Sequence, residues 1–295
     1  MDTIRVGLLL VALTALFVAV GAWLGGPTGL AVALMVALAM NAGTYWFSDR
    51  IVLRMTGAEP LPPEAAPTLY RRTEQLARKA GIPMPRLYVV PDPQPNAFAT
   101  GRSPEHGVVV VNEGLLRILD DREVEGVIAH EIAHIKHRDT LTMAVVALLA
   151  GAVMTLVNLA QWAAIFGGYD EDGPGWMEVL VAALVAPLAA TLIQFGVSRA
   201  REFEADRTAA ALVGAPHGLI GALLKLDRGA QLVPPRATPP QMAHMPIVNG
   251  VRAKGGSPGG FSRLFMTHPP VEARVERLRA LYRNRGAPAR PPATA

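Results

Sequence analysis

Four stretches of this chain run without a charged residue for about as long as a bilayer requires, and between them the pattern becomes mixed and polar. The uncharged runs are Val6–Leu24, Thr28–Phe47, Leu141–Phe166 and Val179–Val197, each 19 to 26 residues long. A helix needs ~20 apolar residues to cross hydrocarbon. None of the runs alternates as a strand does, and barrel strands are much shorter. Each predicts a transmembrane helix. Only Gly25, Gly26 and Pro27 separate the first two runs, the connection of a tight hairpin. Arg5 and the small residues of Ala19–Gly26 also fit a signal peptide, but a second span following so closely favours the hairpin.

The polar regions read differently. Leu69–Ala80 has the spacing of a helix ended by Gly81 and Pro83. Arg86–Val90 and Gly107–Val111 are β-branched runs bounded by Pro, Asn and Gly, which predicts short strands. Pro91–Gly101 reads as a turn-rich loop feeding a short strand at Ala97–Thr100. Leu115–Leu119 opens a helical region, and Asp120 or Asp121 caps a helix expected to run through Asp139. Farther on, Ser198–Val213 looks helical and Val271–Arg283 is a charged amphipathic helix. Leu232–Gly260 holds six Pro and five Gly in 29 residues, the composition of a surface loop or lid. The expected organisation is an N-terminal hairpin (1–47), a first polar part (48–140), a second hairpin (141–197), a second polar part (198–285) and a disordered tail (286–295).

Composition agrees with a membrane chain. Charged residues make up 18% and mean hydropathy is +0.28, where soluble domains sit near ~25% charged. A net charge of +4 is too small to argue for nucleic acid. The chain has no cysteine, which excludes disulfides, thiolate metal sites and cysteine nucleophiles. The distribution of charge sets the topology. The 167–178 connection carries Asp170, Glu171, Asp172 and Glu178 without Lys or Arg, whereas Arg50, Arg54, Lys136, Arg138, Arg199, Arg201 and Arg207 flank the opposite ends. Basic flanks stay cytoplasmic, so both polar parts with the tail, 191 residues together, are expected on that side. No span carries an interior Asp, Glu, Lys, Arg or His, which argues against a transporter.

The chemistry lies in Val127–Arg138, VIAHEIAHIKHR. His130 and His134 stand one helical turn apart, so both imidazoles can bind one Zn²⁺, with Glu131 placed as general base toward a water the ion activates. His137 returns to nearly the same face, but it neighbours Lys136 and Arg138 and reads as an interfacial cation. The metzincin pattern needs Gly at 137 and His at 140, and this chain has His137 and Thr140. A catalytic zinc wants three protein ligands and an open position; without cysteine the third is His, Asp or Glu. The best candidate segment is Ser198–Arg207, SRAREFEADR. Glu202 and Asp206 share a helix face, so Glu202 can ligate while Asp206 accepts the N–H of a ligating histidine. Glu204 is turned away by ~200°. His134 and Glu202 are separated by two spans, an even number, and so return to one side.

Four spans with HEIAH (130–134), REFEAD (201–206), PNAFATG (95–101) and THPP (267–270) in this order resemble the HtpX heat-shock family of membrane zinc metalloproteases. The CAAX prenyl proteases, with more spans, are a less similar group. The resemblance implies a mainly α integral membrane protein: four transmembrane helices and a zincin-like cytoplasmic α+β catalytic domain with a small sheet. It also implies one zinc per chain on His130, His134 and Glu202, with Asp206 behind them. The implied setting is the bacterial inner membrane, and the implied partners are the bilayer and misfolded or damaged membrane proteins, cleaved in a stress response. Asn96, Ala97 and Phe98 would border the substrate cleft, where an edge strand could pair with an extended peptide; an ordinary turn followed by a surface strand fits them as well. His268, ahead of Pro269 and Pro270, could donate to a tetrahedral oxyanion; a turn histidine that orients the last helix is the plainer reading. A non-catalytic, zinc-stabilised membrane scaffold or chaperone is the alternative, and Glu131 argues against it, since a structural zinc needs no acid there.

Overall fold

The computed structural model describes residues 2–143, 199–232 and 269–286. Most of the expected second hairpin, the Pro- and Gly-rich loop beyond Leu232, His244, His268 and the tail from 287 lie outside the described residues. The chain opens with α1, Asp2–Thr56, which is two helices joined at Gly25 and Gly26. Gly26 takes φ 56° and ψ −143°, a conformation that side chains rarely adopt. Pro27 follows, where its fixed φ suits the start of the second helix. The two halves fold back on each other: a Cβ on Gly21 or Gly29 would collide with the other's carbonyl oxygen. Farther out Asn41 donates to Thr14 Oγ1 over 2.8 Å. Among the described residues, Gly25–Gly43 is long and apolar enough to cross a membrane.

The second half of α1 continues into the folded domain, where Val52 and Leu53 are buried. After β1 (Glu59–Pro60) comes α2 (Pro67–Ala80), closed by Gly81 in the left-handed region at φ 72°. Four strands then make one sheet in the order β1-β2-β4-β3, with β2 at Arg86–Val90, β3 at Ala97–Thr100 and β4 at Val108–Asn112. The strand expected at Gly107–Val111 is therefore shifted by one residue. β2 and β4 are parallel, and β3 lies antiparallel on β4's other side, Phe98 opposite Val110. Every residue of β4 is buried because both faces are covered. Val108, Val110 and Phe98 pack on Val52 and Leu53 of α1, while Val109, Val111, Ala97 and Ala99 face the helical core.

Among the described residues, five α-helices complete the domain: α3 (Glu113–Ile118), α4 (Asp121–His137), α5 (Arg199–Val213), α6 (His217–Leu232) and α7 (Val271–Gly286). α4 is central, packed on α2, α5, α6 and β3. Its start is a full capping box: the Asp120 side chain accepts from the Arg122 and Glu123 backbones, and Glu123 accepts from Asp120 N–H. The helix stops at His137 rather than running through Asp139. Arg138 takes φ 62°, turning the chain back so that Asp139 faces the helix it has just left. The α4–α6 contact is made by glycines. A Cβ on Gly126 would lie 2.5 Å from Leu219 N, and one on Gly218 would strike the Arg122 carbonyl.

Candidate active site

Three elements converge below the sheet. The middle of α4 supplies His130, Glu131 and His134, α5 supplies Glu202 and Asp206, and α7 supplies Arg274. All six side chains are buried, with Glu202 and Arg274 at 0% exposure. The two imidazoles meet edge to face, ring centroids 4.7 Å apart, with Nε2 to Nε2 at 3.1 Å. Glu202 bridges them, each of its oxygens 3.6 Å from one Nε2. One ligand atom from each of His130, His134 and Glu202 thus lies within 4.8 Å of the others, close enough to share a metal ion.

Behind each histidine stands a carboxylate. His130 Nδ1 is 3.0 Å from Asp206 Oδ1, the contact that the Glu202–Asp206 spacing anticipates. His134 Nδ1 is 3.0 Å from Asp139 Oδ2, made possible by the left-handed Arg138. With each Nδ1–H donated to a carboxylate, both Nε2 lone pairs point at one another, which suits a cation between them. The charge count leads to the same conclusion. Glu131, Asp139, Glu202 and Asp206 are buried, and Arg274 and Arg201 are the guanidiniums beside them. Among the described residues, acidic groups outnumber the guanidiniums there four to two, a surplus that a divalent cation would offset. Burial and the Arg274 charge oppose protonation of His130, but hydrogen bonds to Asp206 and Glu202 outweigh them and raise its pKa to about 9. The residues present fit a metal.

Arg274 was not visible as a site residue in the sequence. Its Nε and Nη2 donate to Asp206 over 2.8 and 2.6 Å, and its Nη1 lies 3.8 Å from Glu202 Oε2. Burial raises the Asp206 pKa, yet the Arg274 charge and hydrogen bonds, with that from His130, bring it down to about 2. Asp206 is thereby held as a carboxylate. The signal was in the stripe: Arg274 sits among Val271, Val275 and Leu278, the buried face of α7. Asp139, read from the sequence as a helix end, is the second residue missed.

Other candidates fall elsewhere. Glu204 points outward and pairs with Arg207. His137 lies apart from the group: burial lowers its pKa, and its ring stands 3.4 Å from Thr208 Oγ1. Asn96, Ala97 and Phe98 lie at and before the start of β3, an edge strand among the described residues, packed against α4. His106 contacts Arg102 and Ser103, and His217 packs on Tyr282, both away from the metal group.

Residues 63–282 match the model of peptidase family M48. A protease HtpX homolog of Pyrococcus furiosus is 51% identical over 96% of this chain and 97% of its own. Another, from Burkholderia thailandensis, is 45% identical over 95% and 97%. Among solved structures, Ste24p of S. mikatae superposes with a TM-score of 0.51 at 19% identity, covering 94% of this chain and 65% of that one. This chain therefore spans just under two thirds of Ste24p, and that likeness concerns the fold alone. The matched segment contains both halves of the His130, His134 and Glu202 group, and the chain belongs to peptidase family M48, the metalloproteases.

Proposed function

We propose that the protein is a membrane-bound zinc endopeptidase that hydrolyses peptide bonds of misfolded or damaged membrane proteins. The observation that supports it best is the meeting of His130, His134 and Glu202 within ligand distance, with Glu131 on the same turn of α4. His130 Nε2, His134 Nε2 and a Glu202 oxygen would hold the zinc, which supplies Lewis-acid chemistry at neutral pH. Asp206 and Asp139 fix the two rings by accepting their Nδ1–H, and Arg274 keeps Asp206 ionised. Glu131 takes the proton of the attacking water and returns it to the leaving amine. Asn96, Ala97 and Phe98 would present backbone groups to an extended substrate. Such pairing reads main chain rather than side chains and so tolerates varied sequences. His268 is assigned to the oxyanion.

The layout supporting this activity is four transmembrane helices in two hairpins, both polar parts cytoplasmic, in a bacterial inner membrane. The Gly25–Gly43 span and the basic flanks at Arg50 and Arg54 support it for the first hairpin. Glu131→Gln tests the reading. It should retain stoichiometric zinc and lose casein hydrolysis by about 100-fold or more, the contribution of a general base. Near-wild-type hydrolysis by the zinc-loaded variant refutes the role of Glu131. A wild-type protein that holds zinc and hydrolyses nothing is the scaffold instead.

A further inference from the structure

The end of α1 measures how far the sheet stands from the bilayer. Tyr45, Trp46 and Phe47 are exposed on this helix at 39%, 55% and 49%, directly after the apolar run and before Arg50 and Arg54. Aromatic side chains followed by basic ones mark the boundary between hydrocarbon and cytoplasm. The helix does not end there. It continues through Val52 and Leu53, which pack against Phe98, Val108 and Val110 of the sheet.

Three contacts then orient the sheet on this axis. Arg102, just past β3, lies over the Trp46 ring at 5.0 Å and donates to the Trp46 carbonyl. Arg86, the first residue of β2, pairs with Asp49 at 2.6 Å. Thr140, immediately before the third uncharged run, donates to the Gly101 carbonyl over 2.8 Å. Arg86, Val108 and Thr100 are the same end of the sheet by register, so that end faces the bilayer. β3 therefore runs toward the membrane, Phe98 level with Val52 and Arg102 level with Trp46. Six residues of α1 between those levels correspond to ~9 Å at 1.5 Å per residue.

α4 gives the height of the metal group. His134 and His130 lie three and seven residues before the end of α4 at His137, ~5–11 Å along the helix, and the left-handed turn at Arg138 then carries the chain to Thr140 at the membrane end of the sheet. An extended peptide covers that distance and the turn in about two to four residues at ~3.3 Å each.

Building on the endopeptidase reading, we propose that the substrate class is the juxtamembrane segment of membrane proteins. The edge strand β3 receives the chain as it leaves the bilayer, and the scissile bond is chosen by its distance from the membrane, not by its sequence.

The experiment uses full-length protein in liposomes with a substrate of one transmembrane helix and an unstructured tail, the cut sites mapped by mass spectrometry. A Gly-Ser spacer of about six residues, ~20 Å extended, is then inserted between helix and tail. Cleavage should stay about two to four residues from the helix end and so move into the spacer. Cleavage that follows the original tail sequence outward, or is spread evenly along the tail, overturns the proposal while leaving the endopeptidase intact. No cleavage of either the anchored tail or the free tail overturns the endopeptidase reading, and this proposal with it.

Discussion

Replacing Arg274 by methionine keeps the length of the side chain and removes its charge. Asp206, only 2% exposed, then loses two short hydrogen bonds at 2.8 and 2.6 Å and the charge that keeps its pKa near 2. Breaking a buried ion pair from one side costs about 3–5 kcal/mol, because the remaining charge is left without compensation. The carboxyl relieves this by taking up a proton and then serves poorly as the acceptor for His130 Nδ1. Loss of such support lowers metal affinity by about 10–100-fold. Arg274→Met combined with Asp206→Asn removes both charges and should recover most of the stability, since an uncharged replacement of a buried pair is often neutral. It should not recover the metal affinity. Thermal melting with chelator present reads the first quantity, and zinc competition in detergent reads the second. If the single variant melts with the wild type, or the double variant melts no higher than the single, the pair is not what holds α5 and α7 together.

Other outcomes follow from the same geometry. Glu202→Ala should leave the purified protein short of zinc while Glu204→Ala retains it, as measured by metal content per chain; the reverse result would refute the assignment of the inward face of α5. Asp139→Ala should weaken zinc binding by about 10–100-fold through His134, and His137→Ala should leave it unchanged, both read by chelator competition. Backbone hydrogen bonds, first that from Glu123, lower the Asp120 pKa, so its stabilisation is complete above the ordinary carboxylate range and is lost as pH falls through the depressed value. The melting temperatures of wild type and Asp120→Asn, which caps without titrating, should therefore converge as pH is lowered through that range.

Much of this fold is legible where a local rule acts alone. The Arg86–Val90 strand has the bounds its β-branched run suggests, and Asp120 caps α4 as its place before an acidic first turn suggests. α6 was not read as a helix because HGLIGALLKL contains Gly218 and Gly221, which weaken helix propensity. Those glycines are there for close approach to α4, a reason that exists only once both helices are formed. The site divides in the same way. His130, Glu131 and His134 are set by spacing along one helix, and Glu202 with Asp206 by spacing along another. Arg274 resembles the other charges of α7 until its face is compared with Val271, Val275 and Leu278. Asp139 depends on one backbone angle at Arg138 that no composition rule indicates.

The residues proposed to hold the metal are divided by the 141–197 segment, and that division sets an order of events during synthesis. The ribosome delivers His130, Glu131 and His134 while Glu202 has yet to be translated, and the Asp206 carboxylate precedes its guanidinium partner by 68 residues. A nascent chain can therefore hold neither a complete ligand set nor a charge-balanced one. The His130, His134 and Glu202 group is complete only once the chain has been made through residue 202, and the Arg274 counter-charge only once α7 has been made. A cell making this protein is spared an active peptidase at the mouth of its own translation machinery.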